Sequence, residues 1–179
     1  MDLTPIQITP EGFACEGVYI PSGNQDIRPS PEVSLIVVHN ISLPPKQYSG
    51  NGIVELFTNR LNPDEHPYYK EIHALRVSSH FLIRRDGKLI QFVSCLQRAW
   101  HAGQSSWQGR ERCNDYSVGI ELEGCDEEAF TPAQYTMLNC LIAGLRASYP
   151  IKDVVGHSDI APGRKTDPGP FFDWTKVST

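Results

Sequence analysis

Ser34-Leu35-Ile36-Val37-Val38-His39 reads as a strand buried on both faces, because four aliphatic residues run without a polar interruption and end on a histidine. Such continuous apolar runs belong in sheets covered by helices on both sides. Working outward, Asp153-Val154-Val155-Gly156-His157 repeats the pattern late in the chain, again closing on a histidine. Tyr116 to Gly124 alternates with period two, which sets Val118, Ile120 and Leu122 on one face and Ser117, Gly119, Glu121 and Glu123 on the other. Two strand-like runs, 79–85 and 88–93, flank Asp86-Gly87, a hairpin signal that makes the sheet mixed rather than wholly parallel.

Helices fill in around these strands. Thr131-Pro132-Ala133-Gln134 combines an N-cap threonine, a proline at the first helical position and a glutamine two residues later. Met137, Leu138, Leu141, Ile142 and Leu145 then recur at helical spacing as far as Tyr149-Pro150. A shorter helical pattern runs through Ile53, Leu56 and Phe57, and residues 62–69 read as an irregular binding loop. Residues 1–32, rich in Pro, Gly and Ser, read as an extended arm draped over a single domain of residues 33–179. The expected architecture is α/β, one domain with a central mixed β-sheet flanked by helices.

The 179 residues suit one domain, and 40% apolar with 21% charged residues is an ordinary globular balance. The longest aliphatic run, residues 35–38, is far too short for a bilayer span. A net charge of −5 disfavours nucleic acid or an anionic membrane as partner. The start of the chain lacks a basic and then apolar leader, and the five cysteines form no C-x-x-C pair. Together these point to reduced, mostly buried thiols and a cytoplasmic location.

The residues that could do chemistry gather at strand ends. Two imidazoles, His39 and His157, with a carboxylate from Asp167 make an acceptable set for a catalytic divalent ion that keeps an open position. On an extended backbone Lys165 would share a side with Asp167 and suit the stabilisation of an oxyanion. Glu121, flanked by apolar positions on its strand, suits a general base. The histidines fit no compact metal-binding template, so other readings stay open. Each strand-end histidine could be a satisfied polar group, Lys165 and Asp167 a solvated ion pair, and Glu121 and Glu123 the wet face of a one-sided sheet.

Taken together, LIVVHNISLPP at 35–45, RVSSH at 76–80, RRDG at 84–87, RAWHAG at 98–103, QGRERCND at 108–115, GIELEG at 119–124, Gly156-His157, IAP at 160–162 and RKTDPGP at 164–170 resemble the AmpD-type N-acetylmuramoyl-L-alanine amidases of the peptidoglycan-recognition group. The resemblance covers nearly the whole chain. It implies hydrolysis of the amide between 1,6-anhydro-N-acetylmuramic acid and L-alanine, in cytosolic peptidoglycan recycling, with one zinc ion per chain; the arm and modest size suggest a monomer. It makes His39, His157 and Asp167 the zinc ligands, Glu121 the catalytic carboxylate and Lys165 the partner of the oxyanion. Some relatives have cysteine as third ligand and tyrosine in place of the carboxylate, and this chain has neither.

The resemblance further implies that Asn40, Arg76 and Arg112 meet the stem peptide, whose carboxylates suit guanidinium pairs. Tyr68, Trp100 and His101 would line the sugar side. Independently of the resemblance, the length of the loop at 62–76 suggests a lid that opens and closes over the peptide. The alternative is a recognition module that binds a muropeptide without cleaving it.

Overall fold

In the computed structural model, residues 4–178 are described. The strands are β1 (Val18–Tyr19), β2 (Gln25–Ile27), β3 (Leu35–Ile41), β4 (Phe81–Ile83), β5 (Leu89–Gln91), β6 (Gln97–Ala99), β7 (Ser106–Trp107), β8 (Arg110–Glu111), β9 (Ser117–Glu123) and β10 (Asp153–Gly156). The helices are α1 (Gly52–Phe57), α2 (Pro67–Ile72), α3 (Pro132–Ser148) and α4 (His157–Ile160). One six-stranded sheet runs in the order β1-β5-β4-β9-β3-β10. It is mixed, as expected: β4 and β5 form the antiparallel Asp86-Gly87 hairpin, while β4/β9, β9/β3 and β3/β10 are parallel. Gly87 makes that turn possible, with a φ of 85° that other residues rarely adopt.

Both faces of the sheet are covered. Ile36 and Val38 of β3 and Val118, Ile120 and Leu122 of β9 pack against Leu138, Leu141, Ile142 and Leu145 of α3. Helix α3 begins where the sequence signals it. The Thr131 hydroxyl accepts from the Gln134 amide (3.2 Å) and the Gln134 side chain accepts from the Thr131 amide (3.0 Å). Gln134 also donates to the Glu123 carbonyl (2.9 Å), tying the helix start to the end of β9. On the other face, Leu82 meets Phe57, Leu56 and Tyr69 from α1 and α2, while Leu35 and Val37 meet Val155 and Ile160. Each large apolar side chain so buried contributes about 1.5–3 kcal/mol, enough for the sheet to host polar groups on the remaining positions of that second face.

Two features differ from the sequence reading. The stretch expected to be irregular at 62–69 contains the start of α2: Pro67 occupies the first turn and the His66 ring accepts from the Tyr68 amide (3.1 Å), a histidine standing where a serine or aspartate is usual. The N-terminal residues also do more than drape. Ile6 is buried, β1 extends the sheet beside β5, β2 pairs with β6, and the buried Arg28 guanidinium donates to the carbonyls of Cys95 (3.1 Å), Asn114 (3.0 Å) and Ser117 (2.8 Å).

The contact between this segment and α3 fixes a testable sign. Ile6 lies so close over Gly144 that an added Cβ would stand 1.9 Å from the Ile6 carbonyl oxygen. Helix propensity alone favours Gly144→Ala by about 1 kcal/mol. Overpacking outweighs it, so G144A is expected to lower stability by about 1–2 kcal/mol net, or about 3–6 °C in Tm. Thermal unfolding checks this, and a raised Tm would contradict the packing described.

Candidate active site

The parallel strands β3, β9 and β10 lie side by side, and the site sits over their carboxyl-terminal halves, on the face away from α3. His39 lies within β3, two residues before its end, and His157 follows β10 as the first residue of α4. The loop after α4 brings Asp167 back beneath them, held by a hydrogen bond from the Ser158 amide to the Asp167 carbonyl (2.9 Å). The separations are 3.0 Å between His39 Nδ1 and His157 Nδ1, 3.1 Å from His39 Nδ1 to Asp167 Oδ2 and 3.0 Å from His157 Nδ1 to Asp167 Oδ2.

This triangle fits a divalent cation. Tetrahedral bonds of about 2.0–2.1 Å place neighbouring ligand atoms about 3.3 Å apart, close to what is found. The remaining ring nitrogens say which atoms face the centre. His157 Nε2 lies 3.1 Å from the Ala102 carbonyl oxygen, an acceptor only, so Nε2 carries the proton and Nδ1 presents a lone pair. The His39 Nε2 lies 2.9 Å from His101 Nδ1. Lone pairs and a carboxylate converging in a buried place need protons or a cation between them, and the donor set of two imidazoles and one carboxylate suits zinc.

The electrostatics agree. Burial depresses His39 to about 4, against the opposing pull of the neighbouring Asp167 carboxylate, so the ring is neutral at pH 7. Burial alone would raise the Asp167 carboxyl, but the side chains of His157 and His39 beside it outweigh that and hold the group well below the ordinary carboxylate range. A neutral His39 and an ionised Asp167 are the forms in which these two groups ligate a metal.

Glu121 pairs in register with His39 across β3 and β9, so its carboxylate shares the same face of the sheet. Its Oε2 is buried and has no hydrogen-bond partner among the described residues, and burial, then the charge of Asp167, push its pKa well above the usual value while Lys165 pulls it down. Glu123, two residues on, is the contrast. It pairs with Arg84 (2.8 Å) and accepts from the amides of Ser49 (2.7 Å) and Arg85 (3.1 Å), so it is a satisfied structural group. Two acidic residues that look alike in the sequence have opposite environments.

A cavity of about 380 Å³ opens on this cluster. His39, Glu121, His157, Lys165 and Asp167 all line it, with Asn40, Tyr68, Trp100 and His101 beside them. Leu43, Leu56, Phe57 and Ile72, to which the sequence reading gave no part in the site, form an apolar wall next to the polar centre. Asn40 is partly committed, since its amide donates to Asp126 Oδ1 (2.7 Å) and to the Pro168 carbonyl (3.0 Å), bracing the loop that carries Asp167. Arg76 and Arg112 are not brought into this cavity. Arg76 is exposed, and Arg112 pairs with Asp115 (3.2 Å) and lines a separate cavity with Glu111 and Arg164.

Comparison with known proteins places this geometry. The family described as N-acetylmuramoyl-L-alanine amidase matches residues 29–170. The chain is 55% identical over 169 residues to the 1,6-anhydro-N-acetylmuramyl-L-alanine amidase AmpD of Escherichia coli K12, covering 93% of this chain and 92% of the relative. A crystal structure of a selenomethionine AmpD derivative superposes with a TM-score of 0.93 at 51% identity, covering 96% of this chain and all (100%) of that one. The amidase AmiD from E. coli, solved with the substrate anhydro-N-acetylmuramic acid-L-Ala-D-gamma-Glu-L-Lys, superposes with a TM-score of 0.60 at 28% identity, covering 94% of this chain and 63% of that one.

The buried imidazoles set the acid stability of the metal-free protein. Burial lowers His39 to about 4 and His80 to about 3, and takes His101 well below its ordinary value. Below about pH 6.5 the unfolded chain binds protons that these native rings refuse, so their contribution to stability is present above that pH and is lost as pH falls. Glu121 opposes this, because its raised pKa lets the native state bind a proton first, but one carboxyl is outweighed by three imidazoles. Urea unfolding of the chelator-treated protein is expected to show stability falling by several kcal/mol between about pH 6.5 and 4.5. A flat profile over that range would contradict neutral, buried histidines.

Proposed function

The chain belongs to the N-acetylmuramoyl-L-alanine amidase family, and from that premise we propose that it hydrolyses the amide joining 1,6-anhydro-N-acetylmuramic acid to L-alanine in muropeptides of peptidoglycan recycling. The observation that carries the reading is a buried, unpartnered Glu121 carboxylate in one cavity with the His39, His157 and Asp167 cluster. His39, His157 and Asp167 would hold one zinc ion. When bound, zinc supplies Lewis acidity toward the scissile carbonyl and toward water.

The protein's own groups do the rest. Glu121, lacking any competing hydrogen bond, takes the proton of the attacking water on Oε2 and later delivers it to the leaving amine of L-alanine. Burial and the charge of Asp167 raise its pKa above the ordinary carboxylate value, which makes it a stronger proton acceptor than an exposed glutamate. Lys165 lines the same cavity and places a positive charge where the tetrahedral oxyanion develops, a contribution of a few kcal/mol per well-placed donor. The apolar wall of Leu43, Leu56, Phe57 and Ile72 excludes water and strengthens these interactions.

Tyr68, Trp100 and His101 are proposed for the sugar side and Asn40 for the start of the peptide, since all four line the cavity. Arg76 and Arg112, outside it, are proposed to meet the more distant carboxylates of the stem. The chain is proposed to act as a monomer. No helix among the described residues is long and apolar enough to cross a membrane, and five unpaired cysteines fit a reducing, cytoplasmic setting.

Incubation with purified anhydro-muropeptide, read by mass spectrometry, tests the reading: free anhydro-N-acetylmuramic acid and an intact peptide beginning with L-alanine are expected, and neither after treatment with chelator. Glu121→Gln is expected to lose about 10²- to 10⁴-fold in kcat while retaining zinc. Binding without cleavage would favour a recognition module, and an undiminished rate in E121Q would remove Glu121 from its role.

A further inference from the structure

We infer that His101 is a positioning residue for the metal ligand His39, and that the segment His101-Ala102 orients both ligand imidazoles. This rests on reading His39 as a ligand through Nδ1. Five contacts carry it. His39 Nε2 lies 2.9 Å from His101 Nδ1. The other ring nitrogen of His101, Nε2, lies 3.1 Å from the Ser117 hydroxyl oxygen. The next residue, Ala102, offers its carbonyl to His157 Nε2 at 3.1 Å. Finally, Asn114 Oδ1 accepts from the backbone amides of both His101 (3.2 Å) and Ala102 (2.8 Å), which fixes the segment as one unit.

The chain of ring contacts can be protonated in two directions. If His101 donated from Nδ1, His39 Nε2 would be the acceptor and its own proton would sit on Nδ1, pointing into the cluster and blocking ligation. If the proton of His101 lies on Nε2 and is given to Ser117 Oγ, then His101 Nδ1 accepts from His39 Nε2–H and the His39 Nδ1 lone pair is free. Only the second direction makes a ligand. Packing reserves the space for it, since a Cβ on Gly119 would stand 2.5 Å from His101 Cγ, so the glycine in β9 is what lets the imidazole lie over the strand. Groups that orient a ligand histidine in this way are typically worth about 10- to 100-fold in metal affinity.

The test has two independent readings. In the zinc-loaded protein, long-range ¹H–¹⁵N spectra are expected to show His101 protonated on Nε2 and not on Nδ1. Zinc affinity from chelator competition is expected to fall about 10- to 100-fold in His101→Phe, which keeps a ring but has no acceptor, and to recover largely in His101→Asn, whose Oδ1 stands near the Nδ1 position. Metal-free H101F should unfold within a few degrees of the parent protein. A His101 proton on Nδ1, or zinc affinity in H101F within twofold of the parent, would overturn the inference. Should H101F fail to fold, the spectrum of the parent protein decides alone. Absence of zinc binding by the parent protein would instead overturn the ligand assignment itself, along with the inference that stands on it.

Discussion

The parallel pairing of β3 with β9 on one side and β10 on the other is the constraint from which the site follows. It sets His39 opposite Glu121 and brings the end of β10, and so His157, alongside. Side chains alternate along a strand, so a slip of one residue would turn His39 and Glu121 into the face packed by α3 and expose aliphatic residues in their place. That slip is prevented by Ile36, Val38, Val118, Ile120 and Leu122, whose burial against α3 fixes the register. The polar face is held in place by the apolar one.

The same arrangement explains how unfavourable groups are kept where chemistry needs them. A carboxylate without a hydrogen bond and a triangle of metal-seeking atoms each cost folding free energy when buried. Around them the structure satisfies what it can: His157 by the Ala102 carbonyl, His39 by His101, the Asp167 loop by Asn40 and Ser158. Glu123 shows the ordinary outcome for a buried acid, with a guanidinium and two backbone amides around it. Glu121 departs from it, and such departures cluster at functional sites.

Much of this was legible in the sequence. Apolar runs ending in histidine gave the central strands, period-two alternation gave β9, and the Thr131 to Gln134 capping pattern gave α3, because each is a local signal with one dominant physical cause. What stayed hidden depended on contacts between distant residues. Nothing within residues 119–124 distinguishes Glu121 from Glu123, since Arg84 and Ser49, which satisfy the latter, lie far away in the chain. Helix α2 was masked by a run of turn-forming residues, although a proline after a possible cap was the available clue. The sequence placed His101 only on the sugar side. Its contact with His39 becomes visible once β9 brings Gly119 beneath the ring.

The central claim is that two imidazoles and one carboxylate hold a zinc ion, with no sulfur in the set. X-ray absorption at the zinc edge of the loaded protein tests it most directly. The account predicts a first shell of nitrogen and oxygen only, at about 2.0–2.1 Å, with the outer-shell pattern of two imidazoles. A sulfur shell at about 2.3 Å, or a spectrum unchanged when His39, His157 and Asp167 are all replaced by alanine, would contradict it.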